Sequence, residues 1–472
     1  MDYKFPDLNC ARKRSRDDVN RRVFVVEDDY KNIGTGKYYF IKTHGCQANE
    51  RDSENIAGIL ETIGYTRSLD EKTADIVIIN TCAIREGAEE KVYGELGALK
   101  RYKTLNPNLI IGICGCMSQE EKTIKRILDK YKQVNLVFGT HNLNDLPKLI
   151  YNIYKNNTKS IEVYSYEGEV IENIPSLRNS RFKASVNIMY GCNKFCAYCI
   201  VPYTRGKERS RLHEDILNEI DDLVKKGYKE VTLLGQNVNA YGKDLYTDYD
   251  FSNLLEDVAK TNIPRIRFLT SHPWDFNDKM IEVMKKYKNI MPYIHLPLQA
   301  GSDNILRKMN RRYTSETYMK LFDKLKTNLP HYTFTTDIIV AFPGETLEDF
   351  NDTLKMVDYC KYDNAFTFIF SPREGTPAYN MDNTIPQEEK NRRLSELNEK
   401  VSYYANLNNR KYQDQIVEVL VDGPSKKNPE ILSGYTEGGK LVNFKGDCKE
   451  GDLVKVRITE ALSFSLNGEM LK

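Results

Sequence analysis

Short apolar runs rich in β-branched residues alternate with longer helical patterns along most of this 472-residue chain. In the first part of the chain, three strand-like runs, each followed by a helical pattern, occupy residues 38–64, 75–102 and 109–131. Such alternation is typical of parallel strands joined by crossover helices, and ligands of such sheets bind at the carboxyl ends of the strands. We therefore expect an open parallel α/β sheet over residues 37–155.

The rest of the chain divides into two further parts. Residues 178–408 contain six more strand-like runs separated by helical patterns, which predicts a partial (β/α) barrel with its functional loops at the carboxyl ends of the strands. Those runs lie at residues 184–190, 230–235, 266–271, 293–298, 334–340 and 364–371. Residues 411–472 change to five short β-rich runs, at 415–421, 431–436, 440–444, 452–459 and 463–466, which predict a small all-β barrel.

The N-terminal residues 1–36 carry a basic and an acidic cluster without sustained apolar periodicity, and we interpret them as a flexible tail. A short basic arm that touches RNA is the alternative. No apolar run approaches the ~20 residues of a bilayer span. No secretory signal is evident either, so a cytoplasmic location without membrane contact is expected. In that reducing compartment the ten cysteines are expected to be thiols or metal ligands.

Charge is unevenly distributed, although the net charge is only +2. Residues 178–211 contain eight Lys or Arg against a single acid, Glu208. A solvated basic loop and a phosphate-binding surface are both compatible with this run. Because it surrounds a cysteine triplet, we favour a polyanionic substrate. The last 62 residues have nine basic and ten acidic side chains, so that part offers no broad attraction for RNA.

Cys192, Cys196 and Cys199 form a CxxxCxxC motif directly after the first strand of the predicted barrel. This spacing lets one loop present three thiolates to a 4Fe-4S cluster and leaves the fourth iron free. In radical chemistry that iron binds S-adenosylmethionine, which is then cleaved to a 5′-deoxyadenosyl radical. A zinc knuckle is the alternative, but structural zinc sites have four ligands and no fourth Cys or His follows locally, although His213 or a distant thiol remains a candidate.

Three other cysteines, Cys46, Cys82 and Cys116, lie at equivalent positions after the three strands of the first domain. Each alone is compatible with an inert buried thiol. Three thiols at the same edge of one parallel sheet instead indicate a second metal centre with one open coordination position.

The motifs around these cysteines resemble those of the radical S-adenosylmethionine methylthiotransferases, in particular the tRNA-modifying type. Residues 190–211 (YGCNKFCAYCIVPYTRGKERSR) carry the main signature. Further matching motifs are THGCQAN at 43–49, NTCAIRE at 80–86, GCMSQ at 115–119, LLGQNVNAYG at 233–242, HLPLQAGSD at 295–303 and SPREGTP at 371–377. The resemblance extends from about residue 37 to the C-terminus and includes a TRAM-like final domain.

The resemblance implies two 4Fe-4S clusters, one held by Cys192, Cys196 and Cys199 and an auxiliary one held by Cys46, Cys82 and Cys116. It also implies that Gly235, Gln236, Asn237 and Gln299 lie near S-adenosylmethionine. The remaining cysteines, Cys10, Cys114, Cys360 and Cys448, would then be structural or incidental. One departure is Ala341, where the family commonly has glycine.

The implied reaction is methylthiolation at C2 of N6-(dimethylallyl)adenosine at position 37 of tRNA, with the anticodon stem-loop as partner. An electron donor such as flavodoxin or ferredoxin, a sulfur donor system and a monomeric or weakly dimeric state are also expected. Three alternatives stay open: the same reaction on N6-threonylcarbamoyladenosine, methylthiolation of an aspartate in a ribosomal protein, and an iron-sulfur or zinc RNA-binding module without catalysis.

Overall fold

The N-terminal domain is built on a seven-stranded, fully parallel sheet with the strand order β1-β8-β7-β6-β5-β3-β4. The computed structural model describes residues 2–3, 13, 18–83, 86–163 and 169–471, without the side chains of 2, 3 and 86–89. The strands of this part are β1 Asp2–Tyr3, β2 Arg21–Val23, β3 Tyr38–His44, β4 Thr66–Arg67, β5 Ile76–Thr81, β6 Ile110–Gly115, β7 Leu136–Phe138, β8 Ser160–Val163 and β9 Val170–Glu172.

Four helices cover both faces of this sheet: α1 Gln47–Thr62, α2 Glu86–Leu105, α3 Glu121–Lys130 and α4 Leu146–Asn156. Strands β5 and β6 are buried at every residue, as expected for central parallel strands with helices on both sides. The sheet and its helices thus form a two-sided core whose carboxyl edge carries the loops after β3, β5 and β6.

The central domain is a partial barrel of six parallel strands: β10 Lys183–Asn187, β13 Glu230–Leu234, β14 Arg265–Phe268, β15 Tyr293–His295, β16 Thr333–Val340 and β17 Asn364–Ile369. A bridge between Ile266 and Ile290 joins its two three-stranded halves. A short antiparallel pair, β11 Met189–Tyr190 and β12 Arg209–Ser210, brackets the loop that carries the CxxxCxxC motif.

Eight helices belong to this domain: α5 Val201–Thr204, α6 His213–Lys225, α7 Phe251–Ala259, α8 Asp278–Lys286, α9 Asp303–Lys308, α10 Ser315–Asn328, α11 Leu347–Cys360 and α12 Gln387–Arg410. Helix α11 begins with a capping box, in which Thr346 accepts from the Asp349 N–H and the Asp349 carboxylate accepts from the Thr346 N–H. The strands and most of these helices share one large core, whereas α9 and α5 contribute to two smaller apolar clusters.

The C-terminal domain is a closed five-stranded barrel: β18 Ile416–Pro424, β19 Leu432–Thr436, β20 Leu441–Lys445, β21 Leu453–Ala461 and β22 Leu466–Met470. It packs against the amino-terminal ends of the central strands. Arg265 at the start of β14 is 1% exposed and donates to the Glu418 carboxylate at 2.9 Å and to the Tyr435 carbonyl at 3.0 Å. The small barrel therefore lies at the opposite end of the central domain from the CxxxCxxC loop.

The predicted fold class is confirmed: a parallel α/β sheet, a partial parallel barrel and a small all-β barrel follow one another along the chain. One detail differs from expectation. The last strand begins at Leu466, since residues 462–465 form the hairpin turn in which the Leu462 N–H donates to the Ser465 carbonyl. No helix in the described ranges has the length and apolar character needed to cross a bilayer.

The N-terminal segment also differs from the expectation of a flexible tail. From residue 18 onward it lies on the folded chain: β2 pairs in parallel with β9, and Phe24, Val26 and Ile33 pack against the core of the first domain. The spacing of these three apolar side chains has no helical or strand period, so the sequence pattern did not indicate that the segment packs on the surface. Most of residues 1–17 lie outside the described residues.

Candidate active site

The loops after β3, β5 and β6 bring Cys46, Cys82 and Cys116 together. Cys82 is within hydrogen-bonding reach of both other thiols, and these contacts, together with burial, raise the pKa of Cys82. The hydrogen bonds from Cys82 lower the pKa of Cys46 to about 5 and that of Cys116 to about 7. The positive charge of Arg205 also lowers both pKa values, whereas burial opposes the shift. The three cysteines that sequence spacing grouped are thus neighbours in space.

A buried polar network holds the first of these loops in place. The Asn80 amide donates to the Asn49 carbonyl at 2.8 Å and to the Ser53 hydroxyl at 2.9 Å. The Asn49 side-chain oxygen in turn accepts from the Cys46 N–H at 3.4 Å. Gly45 permits the close approach, because a Cβ at that position would lie 2.9 Å from the Cβ of Cys82. The loop geometry is therefore determined by the sequence around Cys46 and by β5.

The second triad lies in the loop after β11. Burial raises the pKa of Cys192, and it raises the pKa of Cys199 to about 12. The charges of the neighbouring thiols raise both pKa values further. Gly191 has φ 71°, and a Cβ there would lie 1.9 Å from the Lys207 carbonyl oxygen, so only glycine fits this turn. Cys196 is buried and Cys192 and Cys199 are partly exposed.

The two triads face each other across the junction of the two domains. Cys116 packs in one apolar cluster with Phe195 of the CxxxCxxC loop and with Ile200 and Tyr203, which follow the second triad. The Thr140 hydroxyl of the first domain donates to the Thr204 carbonyl of α5. The carboxyl edges of two separate parallel sheets therefore meet, and the six cysteines lie where they meet.

Each triad has a buried arginine that contacts one of its thiols. The Arg205 Nε lies 3.3 Å from the Cys116 Sγ, and its Nη2 forms an ion pair with Asp52 at 2.7 Å. The Arg311 Nη1 lies 3.4 Å from the Cys196 Sγ. Arg311 is 5% exposed, and no carboxylate among the described residues pairs with it. A buried cation beside a thiol fits a site whose occupant is negatively charged.

The residues expected near S-adenosylmethionine lie at the carboxyl ends of barrel strands. Gly235 follows β13, and a Cβ there would lie 2.7 Å from the Met189 Cγ. The Gln236 Oε1, the Asn237 Oδ1 and the Ser271 Oγ are buried and have no hydrogen-bond partner in the part of the chain that is described. Gln299, with φ 68°, is 8% exposed and bridges to Ile338.

Sequence reasoning missed Asp275, which organises the polar side of this pocket. Its carboxylate pairs with Lys194 of the CxxxCxxC loop and with Lys243, each at 2.6 Å, and accepts from the Asn237 amide at 2.7 Å. Burial alone would raise its pKa, but these donors lower it to about 2. Its place just after β14, at the carboxyl edge of the barrel, is the signal that identifies such residues. Arg311 was missed as well, since only its contact with Cys196 reveals it.

Five of the eight basic side chains of residues 178–211 form ion pairs within the protein. Arg211 forms ion pairs with Glu172 at 2.6 Å and Glu219 at 2.7 Å, and Arg178 reaches Glu219 and Glu54. Lys183, Lys194 and Arg205 pair with Asp422, Asp275 and Asp52, respectively. The carboxylates come from distant parts of the chain, so a local count of charges could not reveal the pairing.

The other cysteines lie away from both triads or outside the described residues. Cys114 is buried within β6 on the side of a separate core, Cys360 is buried at the end of α11, and Cys448 is partly exposed in the small barrel. Cys10 lies outside the described residues. In the described ranges, no group of three or more His, Cys, Asp or Glu side chains has an arrangement that could hold a single metal ion.

Three family models match the chain: "Uncharacterized protein family UPF0004" at residues 38–139, "Radical SAM superfamily" at 186–357 and "TRAM domain" at 410–471. A tRNA-2-methylthio-N(6)-dimethylallyladenosine synthase of Bacillus cytotoxicus is 52% identical over 473 residues, covering 100% of this chain and 93% of the relative. The chain belongs to this family of synthases. A Staphylococcus saprophyticus member is 51% identical, covering 99% of this chain and 92% of its own.

Family membership confirms the resemblance that the motifs indicated, and the radical SAM superfamily implies a 4Fe-4S cluster and S-adenosylmethionine. Among solved structures, the radical S-adenosylmethionine methyltransferase TsrM of Kitasatospora setae has a TM-score of 0.55 at 13% identity, covering 73% of this chain and 77% of its own. This likeness concerns the fold. Ala341, where the family commonly has glycine, has φ 57°, so the conformation suits glycine and the methyl group is accommodated with strain.

Proposed function

We propose that the chain catalyses methylthiolation at C2 of N6-(dimethylallyl)adenosine at position 37 of tRNA. The observation that carries the proposal is the meeting of two cysteine triads from two domains at one site, joined by the contact between Arg205 and Cys116. The printed names of relatives about half identical over the full chain support the nucleoside. The TRAM match supports an RNA substrate.

The residues of the barrel fit a 4Fe-4S cluster with S-adenosylmethionine. Cys192, Cys196 and Cys199 supply three thiolates from one loop and leave one iron free for a ligand. The orphaned buried oxygens of Gln236 and Asn237 are acceptors for the donor groups of such a ligand. Unpaired buried polar atoms are costly, so their occurrence together at adjacent strand ends favours a bound polar molecule.

The residues of the N-terminal domain fit an auxiliary 4Fe-4S cluster. Cys46, Cys82 and Cys116 are mutually close, and lowered pKa values at two of them favour the thiolate form that metals require. The Arg205 guanidinium beside Cys116 offsets negative charge in a buried position. The donor set again leaves one position without a protein ligand.

When bound, these groups supply a radical that activates an aromatic C–H bond and a sulfur that becomes methylated and is inserted. The protein's own residues position and enclose them. Arg311 and Arg205 donate hydrogen bonds to one thiol of each triad, and Asp275 fixes Lys194 and Asn237 at the pocket edge. Phe195, Ile200 and Tyr203 cover Cys116 and exclude water from the space between the triads.

The reaction also needs an electron donor such as flavodoxin or ferredoxin and a sulfur donor system, and we propose a monomer or weak dimer as the working form in the cytoplasm. The printed names of relatives about half identical over the full chain favour N6-(dimethylallyl)adenosine over N6-threonylcarbamoyladenosine and over a ribosomal aspartate. A module without catalysis would not need two triads that face one enclosed space.

The decisive experiment is mass spectrometry of tRNA nucleosides from cells that lack the gene. We expect loss of 2-methylthio-N6-(dimethylallyl)adenosine and accumulation of the precursor without the methylthio group. The gene with Cys116→Ala should not restore the product, whereas the matched control Cys114→Ala, two residues away in β6, should restore it. An unchanged nucleoside profile in the deletion would refute the substrate assignment.

Iron analysis after anaerobic reconstitution tests the second cluster separately. We expect about eight irons per chain, the sum of two 4Fe-4S clusters, and about four in a variant without Cys46, Cys82 and Cys116. Cys192→Ala should abolish cleavage of S-adenosylmethionine, and Cys82→Ala should retain some cleavage without sulfur insertion. About four irons in the unaltered protein would contradict the two-cluster proposal.

A further inference from the structure

A solvent-open cleft of about 330 Å³ lies beside the carboxyl-end mouth of the barrel. One wall is formed by Pro273, Trp274 and Phe276 after β14, and the other by Arg312 and Tyr313 before α10. The volume is within the ~300–1,000 Å³ range of typical ligand clefts. Trp274 is the only tryptophan of the chain, and 58% of it is exposed. Such exposure of a large aromatic side chain within a cleft marks an interaction surface.

The Trp274 wall is anchored to the CxxxCxxC loop through the neighbouring residue. Asp275 pairs with Lys194 of that loop at 2.6 Å and accepts from the Asn237 amide at 2.7 Å. The Trp274 N–H donates to the His272 Nδ1 at 3.2 Å, which fixes the backbone from the other side. The backbone that carries the indole is therefore held in a defined place at the edge of the pocket.

The Arg312 wall is anchored to the same loop. Arg311 contacts the Cys196 Sγ at 3.4 Å, and the Asn310 amide donates to the Phe195 carbonyl at 3.0 Å. On the other side, the Tyr313 hydroxyl donates to the Leu298 carbonyl at 2.7 Å. With both neighbours fixed, Arg312 has the left-handed φ of 54° and its side chain is exposed.

The chemistry of the cleft suits an unpaired nucleotide. Unpaired bases stack on aromatic rings and on guanidinium planes, and phosphates pair with arginine. The described lining contains no carboxylate that would repel a phosphate. An enzyme that acts on a base takes it out of its stack, so the nucleotides beside the target lose their own stacking partner and need a new one.

We propose that Trp274 stacks on an unpaired anticodon-loop nucleotide adjacent to the modified adenosine, while Arg312 contacts its phosphate. The inference rests on the proposed function, since it deepens the recognition of the same RNA. Trp274 and Arg312 act as binding residues outside the reacting centre. Their contribution lies in affinity and in the orientation of the loop toward the two triads.

The test uses the reconstituted protein and a fluorescein-labelled anticodon stem-loop that carries N6-(dimethylallyl)adenosine. Fluorescence anisotropy gives the Kd, the sole tryptophan reports stacking through its own emission, and mass spectrometry gives product. Trp274→Ala should weaken RNA binding roughly 5- to 150-fold, the equivalent of ~1–3 kcal/mol per stacked base. Trp274→Phe, which keeps an aromatic face, should recover most of the affinity.

Arg312→Ala should weaken binding and reduce its salt dependence, because one phosphate contact is removed. The matched control is Tyr403→Ala on α12, a side chain that is 61% exposed and lies outside the cleft. It should leave the Kd unchanged. Absorbance of the reconstituted clusters verifies that each variant is folded and loaded.

Each outcome gives a decision. RNA binding that shifts the Trp274 emission and is weakened in Trp274→Ala supports the inference. If the unaltered protein binds and modifies the RNA while Trp274→Ala has the same Kd, the inference is overturned and the proposed function stands. Product formation by Trp274→Ala is also compared with a protein reductant and with a chemical reductant. If the variant forms less product only with the protein reductant, the cleft receives that reductant, and this result also overturns the inference. Absence of RNA binding and of product in the unaltered protein overturns both.

Discussion

Glu219 of α6 is the centre of an ion-pair network that joins the first two domains, and its replacement by Gln should destabilise the protein markedly. Its two carboxylate oxygens pair with Arg51 of α1 at 3.1 Å, with Arg178 at 2.5 Å and with Arg211 at 2.7 Å. Glu54 also pairs with Arg51 and Arg178. The network therefore connects a helix of the N-terminal sheet to a helix of the barrel.

The expected loss of free energy of unfolding follows from the pKa of Glu219. Burial alone would raise that pKa, but the three arginines outweigh it and lower the pKa from 4.5 to about 2. A difference of this size corresponds to about 3 kcal/mol, since one pKa unit equals about 1.4 kcal/mol. The Glu219 side chain is 20% exposed, so little of this is lost to solvent screening. Breaking a buried ion pair by removing one partner costs a similar ~3–5 kcal/mol.

The dependence on pH has a defined sign. Glu219 has a lowered folded-state pKa, so its stabilising contribution is fully present above about pH 4.5 and is lost as the pH falls toward about 2. Glu219→Gln removes this contribution and leaves three buried arginines with too few carboxylates. The difference in stability between the unaltered protein and the variant should accordingly shrink with falling pH in that window.

Thermal unfolding followed by the emission of Trp274 in the barrel provides the assay. A loss of about 3 kcal/mol should lower the Tm of a domain of this size by roughly 6–12 °C. Asp222→Asn is the matched control on the same helix, since its pair with Lys225 is exposed and contributes little. A Tm for Glu219→Gln within about 1 °C of the control would refute the reasoning, because burial and charge together require a larger effect.

Three further outcomes are expected. Arg205→Met should lower the reduction potential of the proposed auxiliary cluster, because hydrogen bonds to the sulfurs of a cluster raise its potential. In a redox titration the exposed control Arg181→Met should leave the potential unchanged, and an equal potential for both variants would contradict the assigned contact. Ala341→Gly should raise the free energy of unfolding in urea by up to ~1 kcal/mol, since Ala341 has φ 57°. The control Ala405→Gly within α12 should lower that free energy by at least ~1 kcal/mol, and equal losses in the two variants would refute strain at Ala341. Arg265→Met should detach the small barrel and speed proteolysis between the last two domains; unchanged cleavage would show that other contacts suffice.

The strands and both triads could be predicted because their signals are local or periodic. Alternating apolar runs identify parallel strands, and cysteines at equivalent strand ends meet wherever those strands are neighbours, as Cys46, Cys82 and Cys116 do. The internal ion pairs of the basic run could not be predicted, for the opposite reason. The acids that neutralise Arg178 and Arg205, such as Glu54 and Asp52, are more than a hundred residues away.

Two other features depend on tertiary contacts that no local pattern reports. Arg311 matters through one contact with Cys196, made across the barrel mouth. The N-terminal segment lies on the folded surface because Phe24, Val26 and Ile33 find an apolar face supplied by other elements. Composition showed a charged segment with few apolar residues and could not show the surface that receives them.

The contact of the two sheets through their carboxyl edges affects how sensitive the protein is to oxygen. Oxygen attacks exposed iron-sulfur clusters, and Phe195, Ile200 and Tyr203 of the other domain cover Cys116, a ligand of the proposed auxiliary cluster. If the two domains separate, even briefly, Cys116 loses this cover. The rate at which the protein bleaches under oxygen should therefore follow the strength of the ion pairs around Glu219, although none of those residues touches a cysteine.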